Sequence, residues 1–233
     1  MSKKDTAVVD GKDPVKKTQK RRLREIEIEK AELDLCTARL DFEREQIRHR
    51  DETRTEEWNR ASSLYHGVFH LDGGITATSV ASLKMGLLQW KRVQGDQTPA
   101  VTLYICSGGG DAFASLALFD HLRTLSAQGH HVTTVIRGFA GSGAGVVAQA
   151  GDTRLIGAES MLHIHEAGSG VMGKAGEIKD EALALEQMSR AMAGIYAARS
   201  EFTAEEIYQK FERREWWISS AEAIKWGFAD AIG

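Results

Sequence analysis

From Leu23 to Glu57 the chain contains neither glycine nor proline, and most residues in that stretch are strong helix formers. A segment of this kind predicts one long helix. Ile26, Leu33, Leu40 and Ile47 recur every seven residues. Ile28, Ala31, Leu35, Ala38 and Phe42 make a second stripe at the a/d spacing of a coiled coil. At roughly 100° per residue the two stripes lie on nearly opposite faces. A helix apolar on two sides calls for two neighbours, either another copy of itself or the rest of the chain. Residues 21–60 are therefore read as a charged assembly or docking helix. The competing reading is a single solvated helix laced by i,i+4 ion pairs. Residues 1–20 are Lys-rich, contain Pro14 and lack apolar periodicity, which predicts a disordered basic tail. Its cluster Lys16, Lys17, Lys20, Arg21, Arg22 and Arg24 reads first as a solvated charge run, ahead of contact with nucleic acid or an acidic partner.

Charge density sets the boundary. The first 60 residues hold 31 of the chain's 63 charged side chains, and the remaining 173 hold 32. The shift falls between Trp58 and His66 and assigns residues 64–233 to a folded domain. The net charge of −3 gives no overall basic character, so nucleic acid is not an expected partner. Cys36 and Cys106 are far apart and lack metal-ligand spacing, which predicts a reduced, cytoplasmic protein. No apolar run approaches the ~20 residues needed to span a bilayer, and the polar start lacks the apolar core of a signal peptide.

Beyond Leu64, short apolar runs alternate with helical patterns, the mark of α/β architecture with parallel units. GVFHLDG predicts a strand, Thr78–Trp90 a helix and Val101–Ile105 a buried strand. Ser107-Gly108-Gly109-Gly110-Asp111 predicts a tight loop, followed by a helix over 112–126. Strands follow at 132–136, 154–156 and 161–165, with a small-residue turn and a short apolar helix between the first two. Ile178–Ala198 predicts a long amphipathic helix. Thr203-x-x-Glu206 is a capping box that opens another, and residues 218–232 close the chain with a small helix and an apolar segment.

Chemistry-bearing residues concentrate between Val135 and Glu166. Ser142 sits between Gly141 and Gly143, where a strand hands over to a helix. That placement exposes a hydroxyl and leaves backbone N–H groups without helical partners. Packing alone could also explain such a turn. The outer positions are Ala140 and Ala144, so the run is not the G-x-S-x-G elbow. His163 and His165 share one strand face, with Leu162 and Ile164 on the other. One of them could serve as base to a serine nucleophile; a metal pair is the lesser reading, with no third ligand in view. The 107–111 glycines could present N–H groups to a phosphate, a peptide cleft or an oxyanion, although they match neither the G-x-G-x-x-G nor the P-loop spacing.

Taken in order, these motifs resemble the proteolytic subunit of the Clp protease, on the crotonase-like fold. Gly73-Gly74-Ile75-Thr76 matches the family's strand end, and 107–110 its Ser-x-Gly-Gly. Gly138 to Ala144 matches its Gly-x-Ala-x-Ser-x-Gly/Ala, and Ile164-His165 its Ile-His. Glu212-Arg213, Trp216-Trp217, Ser219 to Ala223 and Gly227 to Asp230 match its C-terminal pattern. The resemblance implies a crotonase-like core of ββα repeats and a cofactor-free serine endopeptidase acting on peptide or protein substrates. Ser142 would be nucleophile, His165 base with His163 as its neighbour, and Gly109, Gly110 and Gly143 the oxyanion hole. The 178–198 helix would pair subunits of a homo-oligomer across two rings. Alignment puts Lys210 where the family has its catalytic Asp. Glu215, just before the tryptophans, is expected to orient His165 instead, as an acid does in viral head-maturation relatives. The family's Pro and Met stand here as Gly108 and Gly143. About 60 charged residues replace the short axial loop that engages an AAA+ unfoldase, which favours a viral-type relative or a stand-alone assembly over an unfoldase partner. Rival readings are an acyl-CoA hydratase or isomerase, which would place carboxylates in the pocket, and a non-catalytic or self-cleaving scaffold.

Overall fold

The computed structural model describes residues 14–61 and 66–233. By its contacts the chain divides into two units, Met1–Trp58 and Asn59–Gly233. One uninterrupted helix, α1 (Pro14–Ala61), accounts for the described part of the first unit and runs three residues past its boundary. Residues 14–20 are helical where a disordered tail was expected; Lys and Gln are good helix formers, and Pro14 takes the first position, where its missing N–H is not needed. The rest of that tail, residues 1–13, lies outside the described residues. Both apolar stripes are exposed, with Leu33 at 66% and Leu35 at 75%. Ion pairs such as Arg39–Glu43 at 3.1 Å lace the surface between them.

The second unit is a mostly parallel sheet with helices packed on it. β1 (Val68–Ile75), β2 (Val101–Gly110), β3 (Val132–Gly141), β4 (Thr153–Ile156) and β7 (Ala231–Ile232) lie side by side in that order. β5 (Met161–Ile164) pairs in parallel with the end of β3, and β6 (Trp216–Ser219) pairs antiparallel with β5. The expected loop 107–110 is instead the end of β2. Gly74 and Ile75 of β1 pair with Gly109 and Gly110, which take φ of +89° and +149°, a region that favours glycine. Only glycine fits there: a side chain on Gly110 would run into the Ile75 carbonyl.

The helices start where their caps require. Before α2 (Ala77–Gln94), Thr76 accepts from the Ser79 N–H at 3.1 Å and Ser79 accepts from the Thr76 N–H. Asp111 accepts from the Ala114 N–H at 2.9 Å to open α3 (Ala112–Ala127). The expected Thr203–Glu206 box opens α6 (Ala204–Phe211), and Ser219 with Glu222 opens α7 (Ser220–Lys225) in the same way. The long amphipathic helix is α5 (Ala175–Ala197). Leu103, Ile105, Leu118, Leu122, Ile156 and Leu162 fill the core with under 2% of their surface exposed.

β3 decides where the site lies. Its first half, Thr133–Ile136, pairs with β4; its second half, Phe139–Gly141, pairs with β5. Gly138 stands at the changeover with φ +80°, a conformation that glycine adopts without strain.

Candidate active site

Ser142 follows the last residue of β3 and precedes α4 (Gly143–Ala148). Gly141 is in register with His163, and the Ser142 N–H donates to the His163 carbonyl at 2.9 Å. The serine is thereby clamped beside the end of β5. His165 stands one residue past that end, and both residues line a cleft of ≈650 Å³. The β3–β5 ladder thus brings together two side chains 23 positions apart in sequence.

The backbone of Ser142 has φ 52° and ψ −127°, and its hydroxyl does not cap α4. Among the described residues only Arg213 shares a positive φ without being glycine. Such a conformation stores about 1–3 kcal/mol in a residue bearing a Cβ. The surroundings enforce it. A Cβ on Gly109 (φ +89°) would lie 2.6 Å from the Gly141 carbonyl and 2.8 Å from the Ser142 Cβ, so two backbones meet there with no room for a side chain. A Cβ on Gly143 would collide with Ser115 Oγ, so this position has no room for a side chain.

Gly110 and Gly143 line the cleft, and the Gly143 N–H, first in its helix, has no intrahelical acceptor. The expectation for Gly109 needs correction. Its N–H donates to Ser107 Oγ at 3.1 Å, and Ser107 in turn donates to the Gly73 carbonyl at 2.5 Å. Gly109 supports the turn from behind, and its donor is already used.

The acid also departs from expectation. Continuing the β5–β6 register from His163↔Trp217 and Ile164↔Trp216 would set Glu215 opposite His165. The carboxylate instead takes the diagonal, with Oε2 2.5 Å from Nε2 of His163. Diagonal neighbours across a ladder are within reach of a long side chain. His163 is 12% exposed and Glu215 is 64% exposed. The His163 ring stacks on Trp217, with centroids 4.1 Å apart, and on His165 at 5.1 Å. Phe139 extends the stack to Trp217 at 5.5 Å. The expected direct Glu215–His165 contact is therefore replaced by Glu215–His163. Nothing in the sequence distinguished these partners, because both histidines share one face.

Lys210 has a role of its own. Its ammonium lies 4.6 Å from the Phe202 ring centre and 5.1 Å from that of Trp216, a cation–π arrangement. The cleft walls are largely apolar, with Phe113, Leu116, Val146, Leu185 and Met192 among them. Of the two acids at the cleft, Asp111 is engaged in capping α3 and Glu181 belongs to α5. Among the described residues no three His, Cys, Asp or Glu side chains converge as metal ligands.

The family model of the Clp protease matches residues 68–233, which is the second unit from the first strand to the last residue. The chain belongs to the Clp protease family. Its mostly parallel α/β core is the crotonase-like fold of that family. It is 34% identical over 134 residues to ATP-dependent Clp protease proteolytic subunit 3 of Rhodococcus jostii, covering 57% of this chain and 64% of that one. Against the ATP-dependent Clp protease proteolytic subunit of Deinococcus radiodurans it is 28% identical over the same shares. Against proteolytic subunit 2 of Tropheryma whipplei it is 30% identical over 139 residues, 59% of this chain and 75% of the relative. The chain thus spans somewhat under two thirds of the length of the first two relatives. Among the described residues no helix is long and apolar enough to cross a membrane.

Proposed function

We propose that this protein is a serine endopeptidase in which Ser142 is the nucleophile and His165 the base. The observation that carries the reading is the convergence of Ser142, His165, Gly110 and Gly143 on one cleft with apolar walls. Ser142 Oγ attacks the peptide carbonyl while His165 takes its proton. His165 then protonates the leaving amine, and water hydrolyses the acyl-enzyme by the same route. The Gly143 N–H, with Gly110 beside it, faces the oxygen on which negative charge develops. The strained φ of Ser142 holds Oγ out of the helix cap and available for attack. The substrate is an extended peptide whose side chains meet the apolar walls. Copies of the chain assemble through α5, which leaves Ile178 and Leu183 43% and 50% exposed.

The test is labelling of the full chain with a fluorophosphonate and mapping of the modified residue. The expected adduct is on Ser142, with none formed by Ser142→Ala. Undiminished labelling of Ser142→Ala would sink the assignment.

A further inference from the structure

The geometry points to His163 as the positioning residue through which Glu215 acts on His165. This rests on the reading of Ser142 and His165 given above and adds to it a second histidine with a defined task. The carboxylate that should stand behind the base is bonded to a different imidazole, His163 Nε2, at 2.5 Å. That imidazole is not a bystander. Trp217 covers it at 4.1 Å between centroids, Phe139 lies 6.2 Å away, and His165 stacks on it at 5.1 Å with 19° between planes. With only 12% of its side chain exposed, His163 has little freedom to turn.

One effect reaches His165 through this arrangement, and it is orientation. Glu215 fixes the rotation of the His163 ring, and the fixed ring is a wall against which His165 lies. Catalytic geometry is lost when a supporting ring is free to move, since small displacements of a base are expensive in rate. Lys210, which stands where a family acid would, is turned to the Phe202–Trp216 rings. The supporting acid therefore works one ring removed from the base.

The experiment uses the full chain with His163→Phe, Glu215→Gln and the double variant. His163→Phe keeps an aromatic ring in the stack and removes the partner of the carboxylate. The readout is the second-order rate of fluorophosphonate labelling at Ser142. Each single variant is expected to lose about ten- to a hundredfold, since a misplacement of about 1 Å at a reacting group can cost a hundredfold. The double variant should be no slower than His163→Phe alone, because the carboxylate has no other route to His165. Imidazole ¹⁵N spectra of Glu215→Gln should show His163 as the most perturbed ring, a signature that loss of packing alone would not give. This spectrum decides the matter even if His163→Phe does not fold.

Labelling of His163→Phe at the wild-type rate or faster overturns the proposal, and a faster rate would mean that His163 withholds the acid from His165. An equal cost of Glu215→Gln with and without His163 overturns it too, since the acid would then act on His165 directly. A spectral change confined to His165 does the same. An unlabelled wild type strikes the Ser142 reading itself, and so is distinguishable from all of these.

Discussion

At the first end of β3, Val132 donates its N–H to Asp152 at 2.9 Å, and the same carboxylate accepts from Ser126 Oγ and from Arg123. Nearby, Asp230 accepts from the Arg154 backbone at 2.7 Å and from its guanidinium at 2.6 Å, with Arg199 at 3.2 Å. Arg154 is 4% exposed, and its remaining arm donates to Gln149. At the far end of β3 the same strand delivers Ser142, a strained residue whose hydroxyl caps nothing, beside an unpartnered helical N–H. One end pairs its polar groups almost to saturation, and the other holds donors and a hydroxyl open. On the proposed reading of Ser142, a single strand contributes stability at one end and gives it up for chemistry at the other.

Substitutions at the two ends should separate cleanly. Ser142→Ala is expected to abolish fluorophosphonate labelling while moving the melting temperature by no more than about 3 °C, roughly 1 kcal/mol for a domain of this size. A large drop in melting temperature would show that the open end is structural after all. Gly143→Ala drives a methyl into Ser115 Oγ and displaces the open N–H. Labelling should slow by about a hundredfold or more, the scale of a lost oxyanion donor.

Asp230→Ala should invert the pattern. It leaves Arg154 buried without its anion, which costs about 3 kcal/mol, the lower end of the range for buried pairs because the Asp230 side chain is itself 34% exposed. Thermal unfolding would report this as a loss of about 6–12 °C. Labelling of the folded protein at 25 °C should stay within about twofold, because distant sites act independently. A labelling rate that fell in step with stability would break the separation of the two ends.

Acid gives a smaller and graded test. Burial opposes ionisation of Asp230, but hydrogen bonds from Arg154 and the charges of Arg154 and Arg199 outweigh it and hold the carboxyl below the usual range. For Asp152, burial is likewise overcome by the Val132 N–H, Ser126 and Arg123. A depressed carboxyl contributes stability that is complete above its unfolded pKa, about 3.9, and is lost as pH falls through the lower folded value. Denaturant unfolding between pH 7 and pH 3 should show the loss beginning near pH 4. It should be shallower in Asp152→Asn, and an unchanged slope there would count against the pairing.

Much of this was legible before any fold was known. The alternation of elements, the Thr203–Glu206 cap, the lack of helix breakers in α1 and the candidates Ser142 and the His163/His165 pair all follow from local pattern; the choice of His165 came from the family resemblance. What stayed hidden had a common cause. Gly108 to Gly110 read as a loop because glycine disfavours strands in isolation, yet pairing with Gly74 and Ile75 made them one. Trp216-Trp217-Ile218 favours strand but is too short a run to stand alone, and it became β6 only against β5.

The sequence by itself determined which residues could carry the chemistry, because spacing of 2 and 3.6 sets the face each one occupies. Only the tertiary structure decided who meets whom. It spent the Gly109 N–H on Ser107, and it sent the Glu215 carboxylate along the diagonal to His163 rather than straight across to His165. Periodicity assigns side chains to a face. Strand register and the reach of a long side chain choose among partners on that face, and these exist only once the strands have paired.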